Sequence, residues 1–506
     1  MNILYADSER NLEEPDKVAV KTFEDLDFNP ILDVMAGGDR DIRETCRKVM
    51  MHGRTDLDTI KLRQAVMKDA TENEDQFRSL ASLTTEIEKS IRKRMFWTDS
   101  DRPGILVYEG RFIISSFIDY ISKIRPLFDY LLGRKISKQM QEYIKDFNEK
   151  YNDQWVKKTK GIIERTDFDH RLYAYMGTEW DLSINQVKLL NHQGKGRPLK
   201  LLTKSRKWTL PGSCEGCGQE FSSFRETIIR EVAGMVHELA SSIYLKVCRM
   251  RDEFLFYAGA VNLIKKIREL GAPLTFPVIG KEESPSLKFD DLVETSLMLR
   301  SGKIPISNSL DSAGRITFVI SGPNSGGKSV FARSIGQALI LFQSGLPVPA
   351  TYFRSTVFNC LHAYFSKAEQ QEIGRGRYEG ELSNIQNIVT SLNRKDIIIL
   401  NEPLASTNQY DGAMIMREVI QSFEKGDIMT FATTHFYHLA SWASESDQKR
   451  RTLLLAEHLQ DGQRTFRIKE AQKALNTSWA LDVWKKMSLA RHTGDFNLSD
   501  VSGKTT

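Results

Sequence analysis

The chain has 506 residues, of which 41% are hydrophobic and 27% are charged. That length and balance allow a large buried core, indicate two to four domains, and exclude an intrinsically disordered chain. Lys and Arg total 71 against 66 Asp and Glu, so net charge alone does not identify a nucleic-acid-binding protein.

The N-terminal sequence and the cysteine content bear on the compartment. The first residues carry charges of both signs and lack the apolar core of a signal peptide. No later run approaches the roughly 20 apolar residues that span a bilayer. The five cysteines are an odd number and thinly spread, which argues against a disulfide framework. We therefore expect a protein with no membrane partner, located in the cytoplasm or associated with the nucleoid.

From about residue 30 to 270, apolar residues follow the period of an α-helix. Ile228, Val232 and Met235, for example, recur at steps of four and three. The stretch Ser-Phe-Arg-Glu at 223–226 matches a capping box, in which the Ser hydroxyl and the Glu carboxylate each bind a backbone amide of the first turn. The sequence therefore predicts a helical region, with a helix beginning at this box.

After residue 277, apolar runs of the β type alternate with helical segments. The runs ITFVI, DIIIL and IMTFATT are separated by the segments 329–346 and 411–424. This alternation is typical of a parallel sheet with covering helices. The predicted fold class is thus a helical domain followed by an α/β domain with a mostly parallel sheet.

The first of these strands leads into a glycine-rich loop and then a helix, which is the context of a P-loop. Glycines allow the backbone to wrap phosphates with its N–H groups pointing inward. Lys328 is predicted to reach the β- and γ-phosphates, and Ser329 to hold Mg²⁺ through its hydroxyl, at a helix N-terminus whose field favours anions. ATP and Mg²⁺ are therefore the predicted cofactors. The predicted nucleotide-binding residues of this loop are Gly322, Pro323, Asn324, Ser325, Gly326, Gly327, Lys328, Ser329 and Val330.

Two later strands end in residues suited to phosphate hydrolysis. The run 397–400 is an apolar strand followed by Asn401 and Glu402, and Glu402 is placed to polarise the attacking water. The run 428–434 ends at His435, whose imidazole is predicted to contact the γ-phosphate or to order that water. Glu402, His435 and Lys328 are the predicted catalytic residues.

Together these motifs resemble the ATPase domain of the MutS family, the mismatch-repair and related DNA-processing proteins. SGPNSGGKSVFARSIGQALILFQSGLPVPA is similar to the family stretch that carries GPNMGGKST and ends in VPA, NEPLASTNQYDG to DE-x-x-x-GTSTYDG, and FATTHF to the strand end that contains ATH. The resemblance covers roughly residues 290–490, and DLDTIKLRQAV is weakly similar to the start of the family's core-lever domain. It also implies that Asn308 helps to seat the nucleotide.

The resemblance implies a division into domains. The predicted fold is a helical core- and lever-like domain followed by an ABC/MutS-type P-loop NTPase domain. The predicted boundaries are an N-terminal extension at 1–30, the helical domain at 31–275 with an irregular basic insertion at about 182–222, the ATPase domain at 276–490 and a flexible tail at 491–506.

In this family a second subunit completes the ATP site, which implies a homodimer here. A loop before the second motif reaches across to the partner's γ-phosphate. The matching stretch of this chain contains Arg375, Gly376 and Arg377, with Gly376 where a Ser is usual. A solvated basic turn is the alternative explanation for the two arginines. Asp411 is expected at the same dimer seam.

Two departures from the family pattern affect the expected function. Asn401 stands where the family usually has an aspartate that orients Mg²⁺-bound water, so weaker Mg²⁺ affinity or slower turnover is expected, although Glu402 predicts retained hydrolysis. Mismatch-reading members begin with a domain carrying a Phe-x-Glu wedge, whereas here the lever-like helices start early in the chain. We therefore expect action on branched or damaged DNA rather than on mismatches.

A basic strip in the insertion is the local indication of nucleic-acid binding. No acidic residue occurs between Asp181 and Glu215. Phosphate contacts from such a strip are independent of base sequence, although a solvated loop explains the charge as well. Cys214 and Cys217 have half the spacing of a zinc site and no second pair nearby. The predicted nucleic-acid contacts are Lys195, Arg197, Lys200, Lys204, Arg206 and Lys207.

Two functions from different classes follow from the sequence. The first is an ATP-dependent DNA-binding protein, a dimeric ATPase clamp. The alternative is a nucleotide-gated scaffold with slow hydrolysis that binds a protein or ribonucleoprotein partner.

Overall fold

The structure is a computed structural model, and it describes most of the chain. The described residues are 2–7, 14–51, 56–95, 103–166, 174–178, 183–189, 199–200, 208–209, 217–281, 283–366, 377–445, 449–458 and 464–474. Within these ranges only the backbone is described at residues 95, 377, 378 and 458 and at those between 174 and 225.

The chain divides into two compact packing units. The helical unit comprises Met1–Asn11 and Ala65–Val261, and the sheet unit comprises Leu12–Gln64 and Asn262–Thr506. Residues near the N-terminus therefore pack with the C-terminal half of the chain. The domain boundaries expected at residues 30, 275 and 490 stay predictions.

The structure contains both helices and strands. No helix among the described residues is long and apolar enough to cross a membrane. The helices are α1 (Lys17–Asp25), α2 (Asn29–Ala36), α3 (Arg40–Met51), α4 (Leu57–Glu72), α5 (Glu74–Met95), α6 (Pro103–Leu132), α7 (Lys138–Lys150), α8 (Asp153–Arg165), α9 (Cys217–Glu269), α10 (Thr295–Ser301), α11 (Lys328–Gln343), α12 (Arg377–Ser391), α13 (Gln409–Lys425) and α14 (Tyr437–Ala443). The strands are β1 (Ala174–Thr178), β2 (Ser183–Leu189), β3 (Leu199–Lys200), β4 (Trp208–Thr209), β5 (Val278–Ile279), β6 (Leu287–Leu292), β7 (Asn308–Asp311), β8 (Thr317–Ser321), β9 (Tyr352–Ser355), β10 (Leu361–Phe365), β11 (Ile397–Asn401), β12 (Met429–Thr433), β13 (Arg451–His458) and β14 (Arg464–Ala471).

Long helices build the helical unit because their apolar residues recur every three or four positions. On α6, Ile113, Phe117, Ile121 and Phe128 are all buried. Phe128 packs edge to face against Tyr143 of α7, with ring centroids 6.3 Å apart. The helical region expected from the sequence is thus present, with a core of aliphatic and aromatic side chains.

Between α8 and α9 the described residues form a short antiparallel sheet. Strand β2 pairs with β1, β3 and β4. Helix α9 begins at Cys217, so the predicted helix start at Ser223 is wrong. A Ser-x-x-Glu spacing also places two side chains on one face within a helix, and there it does not mark a beginning.

A six-stranded sheet forms the centre of the sheet unit, in the order β10-β11-β12-β8-β13-β14. The first five strands are parallel, and only β14 runs antiparallel to its neighbour. Strands β8, β11 and β12 are buried at every position, as expected for parallel strands covered on both faces. The expectation of a mostly parallel sheet is confirmed.

Parallel alignment brings the carboxyl ends of β8, β11 and β12 to one edge of the sheet. Asn401 pairs with Thr433, and Thr433 pairs with Ile320. The glycine-rich loop, Glu402 and His435 each follow one of these strand ends. A second sheet, in the order β5-β9-β6-β7, contributes Asn308 at the start of β7.

Helix α1 lies along β10, at the outer edge of the six-stranded sheet. The Thr22 hydroxyl lies 3.4 Å from the Leu361 carbonyl oxygen and 3.4 Å from the Ala363 amide nitrogen. The Phe365 amide donates to Oδ2 of Asp25 over 3.4 Å. Side chains of α1 thus provide hydrogen-bond partners for the backbone of this strand.

Packing of the N-terminal segment on α11 can be tested by adding one methyl group. A Cβ at Gly336 would lie 2.8 Å from Cδ1 of Leu26 and 3.0 Å from Cδ1 of Ile399, both fully buried side chains. We expect Gly336→Ala to lower the free energy of unfolding by about 1–3 kcal/mol, the usual cost of overpacking a core. Urea denaturation measures this change.

Gly380→Ala is the matched control, because a Cβ at Gly380 of α12 would meet no atom within 4 Å. Alanine there should leave stability unchanged or raise it by up to about 1 kcal/mol through helix propensity. Equal effects of the two substitutions would contradict the packing of Leu26 against α11.

Candidate functional site

The loop after β8 has a conformation that requires glycine. Gly322 has φ 129° and Gly327 has φ 93°, both in the region that side chains disfavour. A Cβ at Gly326 would lie 2.9 Å from Cβ of Ala456 and 3.0 Å from the carbonyl oxygen of Pro323. The chain can therefore make this tight turn, with its backbone against β13, only because these positions lack side chains.

Lys328, the first residue of α11, is folded back beneath this loop. Its Nζ donates to the carbonyl oxygens of Gly322 and Pro323 over 2.9 and 3.1 Å. Burial lowers the pKa of the ammonium to about 8, and the negative charge of Glu402 opposes that shift. A poorly hydrated cation thus lies where the sequence predicted a phosphate contact.

Glu402 and His435 form a close pair at the neighbouring strand ends. Nε2 of His435 lies 2.6 Å from Oε1 of Glu402. This hydrogen bond is the largest cause that lowers the pKa of Glu402, and the charge of Lys328 acts in the same direction while burial opposes both. Glu402 has φ 52°, so the chain turns sharply as it leaves β11. Two of the predicted catalytic side chains therefore touch, and the third, Lys328, interacts electrostatically with Glu402.

Asn401 lies at the last position of β11. Its Oδ1 is 3.0 Å from the hydroxyl of Thr433, and the same hydroxyl is 3.0 Å from the amide nitrogen of Glu402. Thr433 was not among the predicted site residues, although it precedes His435 by only two positions.

A cavity of about 550 Å³ opens in front of the loop. Its lining combines polar side chains, among them Glu402 and Asn308, with large apolar ones. Asn308 accepts from the amide of Ile468 over 2.7 Å and donates to the carbonyl oxygen of Phe466 over 3.4 Å, so it joins β7 to β14. The cavity is lined by Leu297, Ile304, Pro305, Ile306, Asn308, Ser325, Gly326, Gly327, Lys328, Ser329, Val330, Glu402 and Phe466.

Sequence reasoning missed the apolar wall. Ile304, Ile306 and Phe466 are 44%, 49% and 45% exposed, an unusual exposure for such large apolar side chains. Phe466 also has φ 57°. The alternating apolar residues immediately before Asn308 could have indicated part of this wall, but Phe466 comes from a distant hairpin and had no local signal.

Several predicted residues are placed differently or fall outside the described part of the chain. Gly322, Pro323 and Asn324 precede the portion of the loop that lines the cavity. Asp411 is in the first turn of α13, where Asn408 caps its amide over 2.9 Å. Only the backbone is described at Arg377, where α12 begins, and at Lys200, in β3. The residues outside the described ranges are Lys195, Arg197, Lys204, Arg206, Lys207, Cys214, Arg375 and Gly376.

Comparison with known protein families gives two matches. The model of MutS domain V matches residues 318–493, and the model of the MutS2 N-terminal domain matches residues 55–270. The first match contains Lys328, Asn401, Glu402 and His435, and the second covers most of the helical unit. Together they account for the two parts of the chain that the sequence distinguished.

Curated relatives match over part of their length. Endonuclease MutS2 of Streptococcus equi subsp. equi is 24% identical over 56% of this chain and 35% of its own length. Endonuclease MutS2 of Streptococcus gordonii is 29% identical over 47% of this chain and 30% of its own length. DNA mismatch repair protein MutS of Caldanaerobacter subterraneus subsp. tengcongensis is 23% identical over 46% of this chain and 28% of its own length. The chain thus spans about a third of the length of the relatives that it matches.

The burial of Lys328 predicts a pH-dependent contribution to stability. Its pKa in the folded protein, about 8, is below its ordinary value of 10.5. Between these two pKa values, Lys328 binds a proton more often in the unfolded chain than in the folded protein. Its contribution therefore makes the free energy of unfolding rise with pH, and that free energy is lowered as the pH falls through about 8. Lys328→Met removes that effect. We therefore expect the stability of the variant, relative to the wild type, to be greatest below about pH 8 and to decline toward about pH 10.

Urea denaturation without nucleotide, repeated across that pH range, measures the difference. Lys425→Met, at an exposed position of α13, controls for the loss of one positive charge. A difference between Lys328→Met and the wild type that stays constant with pH would contradict the burial of this ammonium.

Proposed function

The chain belongs to the MutS family, and from that premise we propose that it is an ATP-dependent DNA-binding protein that hydrolyses ATP. We propose further that it works as a homodimeric clamp on branched or damaged DNA rather than on mismatches. Endonuclease activity, which appears in the names of several relatives, is not extended to this chain, because the match to Endonuclease MutS2 of Streptococcus equi covers only 35% of that protein.

The observation that carries the proposal is the meeting of a cation, a carboxylate and an apolar wall around one cavity. Lys328, the adjacent loop residues, Glu402 and the apolar side chains of Ile306 and Phe466 all line this cavity. A volume of about 550 Å³ suits a nucleotide, since ligand pockets have roughly 300–1,000 Å³. The polar side matches a triphosphate, and the apolar side matches a purine base.

The ammonium of Lys328 changes partners when phosphate arrives. In the structure it donates only to carbonyl oxygens among the described residues. A phosphate oxygen is a stronger acceptor and carries charge, so phosphate binding favours the protonated form of a lysine whose pKa is about 8. Lys328 then stabilises the charge that develops on the transferred phosphoryl group.

Glu402 is the group that positions the attacking water. Its lowered pKa keeps the carboxylate ionised at neutral pH. His435 holds Oε1, which leaves Oε2 to accept a hydrogen bond from the water. The water is thereby oriented for attack on the γ-phosphorus, and ADP leaves in line.

Mg²⁺ fits one of its two predicted contacts. The hydroxyl-bearing residue Ser329 lines the cavity at the start of α11, beside the predicted phosphate site. Ser329 would hold Mg²⁺ through its hydroxyl, and the bound ion would partly neutralise the charge of the phosphates. The side-chain oxygen of Asn401, the other predicted contact, already accepts the hydroxyl of Thr433.

Dimerisation is supported by the exposed start of α13. Asp411 lies there beside Tyr410, which is 59% exposed. Exposed aromatic side chains are favoured in protein interfaces. In the proposed dimer this turn and the stretch that contains Arg375, Gly376 and Arg377 complete the partner's ATP site.

A second candidate function is a nucleotide-gated scaffold that binds a protein or ribonucleoprotein partner. Asn401 favours it, because an amide in place of a carboxylate is compatible with slow hydrolysis. Steady-state ATPase activity with and without branched DNA separates the two. Stimulation supports the clamp, whereas tight ATP binding with no turnover supports the scaffold.

Glu402→Gln tests the catalytic assignment. Glutamine retains the volume of the side chain and loses the charge that polarises water. We expect kcat to fall by about 10²–10⁴-fold, the usual contribution of general acid–base catalysis, while ATP binding is retained. Lys328→Ala is the contrasting control and should lose ATP binding, because it removes the cation that faces the phosphates. Turnover of Glu402→Gln at the wild-type rate would exclude Glu402 as the catalytic group.

The basic strip can be tested by its dependence on salt. Each Lys or Arg that neutralises a phosphate contributes a slope of about −0.9 to log affinity against log salt on duplex DNA. Replacing Lys204, Arg206 and Lys207 together with Gln should flatten that slope by roughly two to three units. ATPase activity without DNA should not change. Wild-type DNA affinity and slope in the triple variant would exclude the strip as a DNA contact.

A further inference from the structure

The side-chain oxygen of Asn401 is engaged by a buried hydroxyl. Oγ1 of Thr433 lies 3.0 Å from Oδ1 of Asn401, and it also lies 3.0 Å from the amide nitrogen of Glu402. Thr433 is fully buried, so its hydroxyl has no access to water. The three groups form a short chain of hydrogen bonds at the ends of β11 and β12.

The direction of this chain follows from the donors available. The Glu402 amide can only donate, and it donates to both oxygens of Thr433, the carbonyl oxygen at 3.2 Å and the hydroxyl at 3.0 Å. The hydroxyl therefore accepts there and uses its own proton to donate to Oδ1 of Asn401. If the side-chain amide of Asn401 were flipped, its NH₂ group would face Thr433. The buried hydroxyl proton of Thr433 would then lack an acceptor, which costs free energy. Oδ1 of Asn401 therefore faces Thr433, and Nδ2 faces away from it. No hydrogen bond joins Nδ2 to any residue in the described ranges.

An aspartate at this position would behave differently. A carboxylate has two oxygens, so one could accept from Thr433 while the other remained able to accept from a metal-bound water. Asparagine has one oxygen, and Thr433 takes it, which leaves N–H donors where the second oxygen would be. Mg²⁺ and its water ligands require oxygen acceptors, whereas a phosphate oxygen accepts hydrogen bonds from N–H groups. Asn401 therefore does not fit as a contact for Mg²⁺.

We propose that Asn401 donates a hydrogen bond from Nδ2 to the terminal phosphate of the bound nucleotide, with Thr433 as the positioning residue that fixes its orientation. This hydrogen bond contributes to nucleotide affinity without Mg²⁺, so the affinity depends less on Mg²⁺ than it would with an aspartate at this position. This inference rests on the proposed function, since it requires that the cavity of Lys328 and Glu402 binds ATP.

Calorimetric titration of ATP, with excess Mg²⁺ and with excess EDTA, tests the inference in the full chain. We expect the wild-type affinity to fall much less in EDTA than the affinity of Asn401→Asp, since the donor from Asn401 acts without the metal. Asn401→Asp should lose about tenfold or more in EDTA, because it exchanges a charge-assisted hydrogen bond for repulsion between two anions. Mg²⁺ should restore most of that loss.

Thr433 provides a matched pair of variants. Thr433→Val removes the hydroxyl and frees Asn401 to turn its oxygen toward the metal, so dependence on Mg²⁺ should increase. Thr433→Ser retains the hydroxyl and should behave as the wild type. Circular dichroism checks that each variant is folded. If Thr433→Val does not fold, the comparison of the wild type with Asn401→Asp still tests the role of Asn401.

The possible outcomes separate the inference from the function on which it rests. A wild-type protein that loses as much affinity in EDTA as Asn401→Asp overturns the role of Asn401 and leaves ATP binding intact. A wild-type protein that binds no ATP under either condition overturns the proposed function itself.

Discussion

The parallel alignment of β8, β11 and β12 is the constraint on which the site depends. These strands are buried along their whole length, so charged residues can occur only where each strand ends. Parallel direction brings all three ends to the same edge. Loop amides, Lys328, Glu402 and His435 therefore converge although long stretches of sequence separate them, and each is held by a strand that cannot shift without exposing its core.

The site combines two demands that oppose each other. Burial strengthens the attraction of Lys328 for anions, and the same burial lowers the pKa of its ammonium to about 8. Glu402 compensates in part, and its own charge is maintained by His435 and Lys328. The charges of Lys328 and Glu402 thus support each other, and the hydrogen bond between His435 and Glu402 further stabilises the carboxylate.

The sequence identified the sheet, the glycine-rich loop and the catalytic candidates because each depends on a local pattern. Gly322 and Gly327, for example, show their backbone requirement in the sequence itself. Thr433 and Phe466 were missed because their roles come from tertiary contacts: a hydroxyl between two strands and a hairpin residue that reaches the cavity wall. The predicted helix start at Ser223 was wrong because a local motif that is typical of helix N-termini lies inside the longer helix α9. Residues such as Arg206 lie outside the described ranges, and their role stays a prediction.

Helix α1 has a practical consequence for work with fragments of the chain. Strand β10 is an outer strand, and Thr22 and Asp25 occupy backbone groups that would otherwise be open to pairing. A fragment that begins at residue 276, where the sequence places the ATPase domain, would lack both side chains. Such a fragment would present an uncovered strand edge, which is a template for intermolecular β-pairing and aggregation. Retaining residues 14–51 with the sheet unit would keep that edge covered.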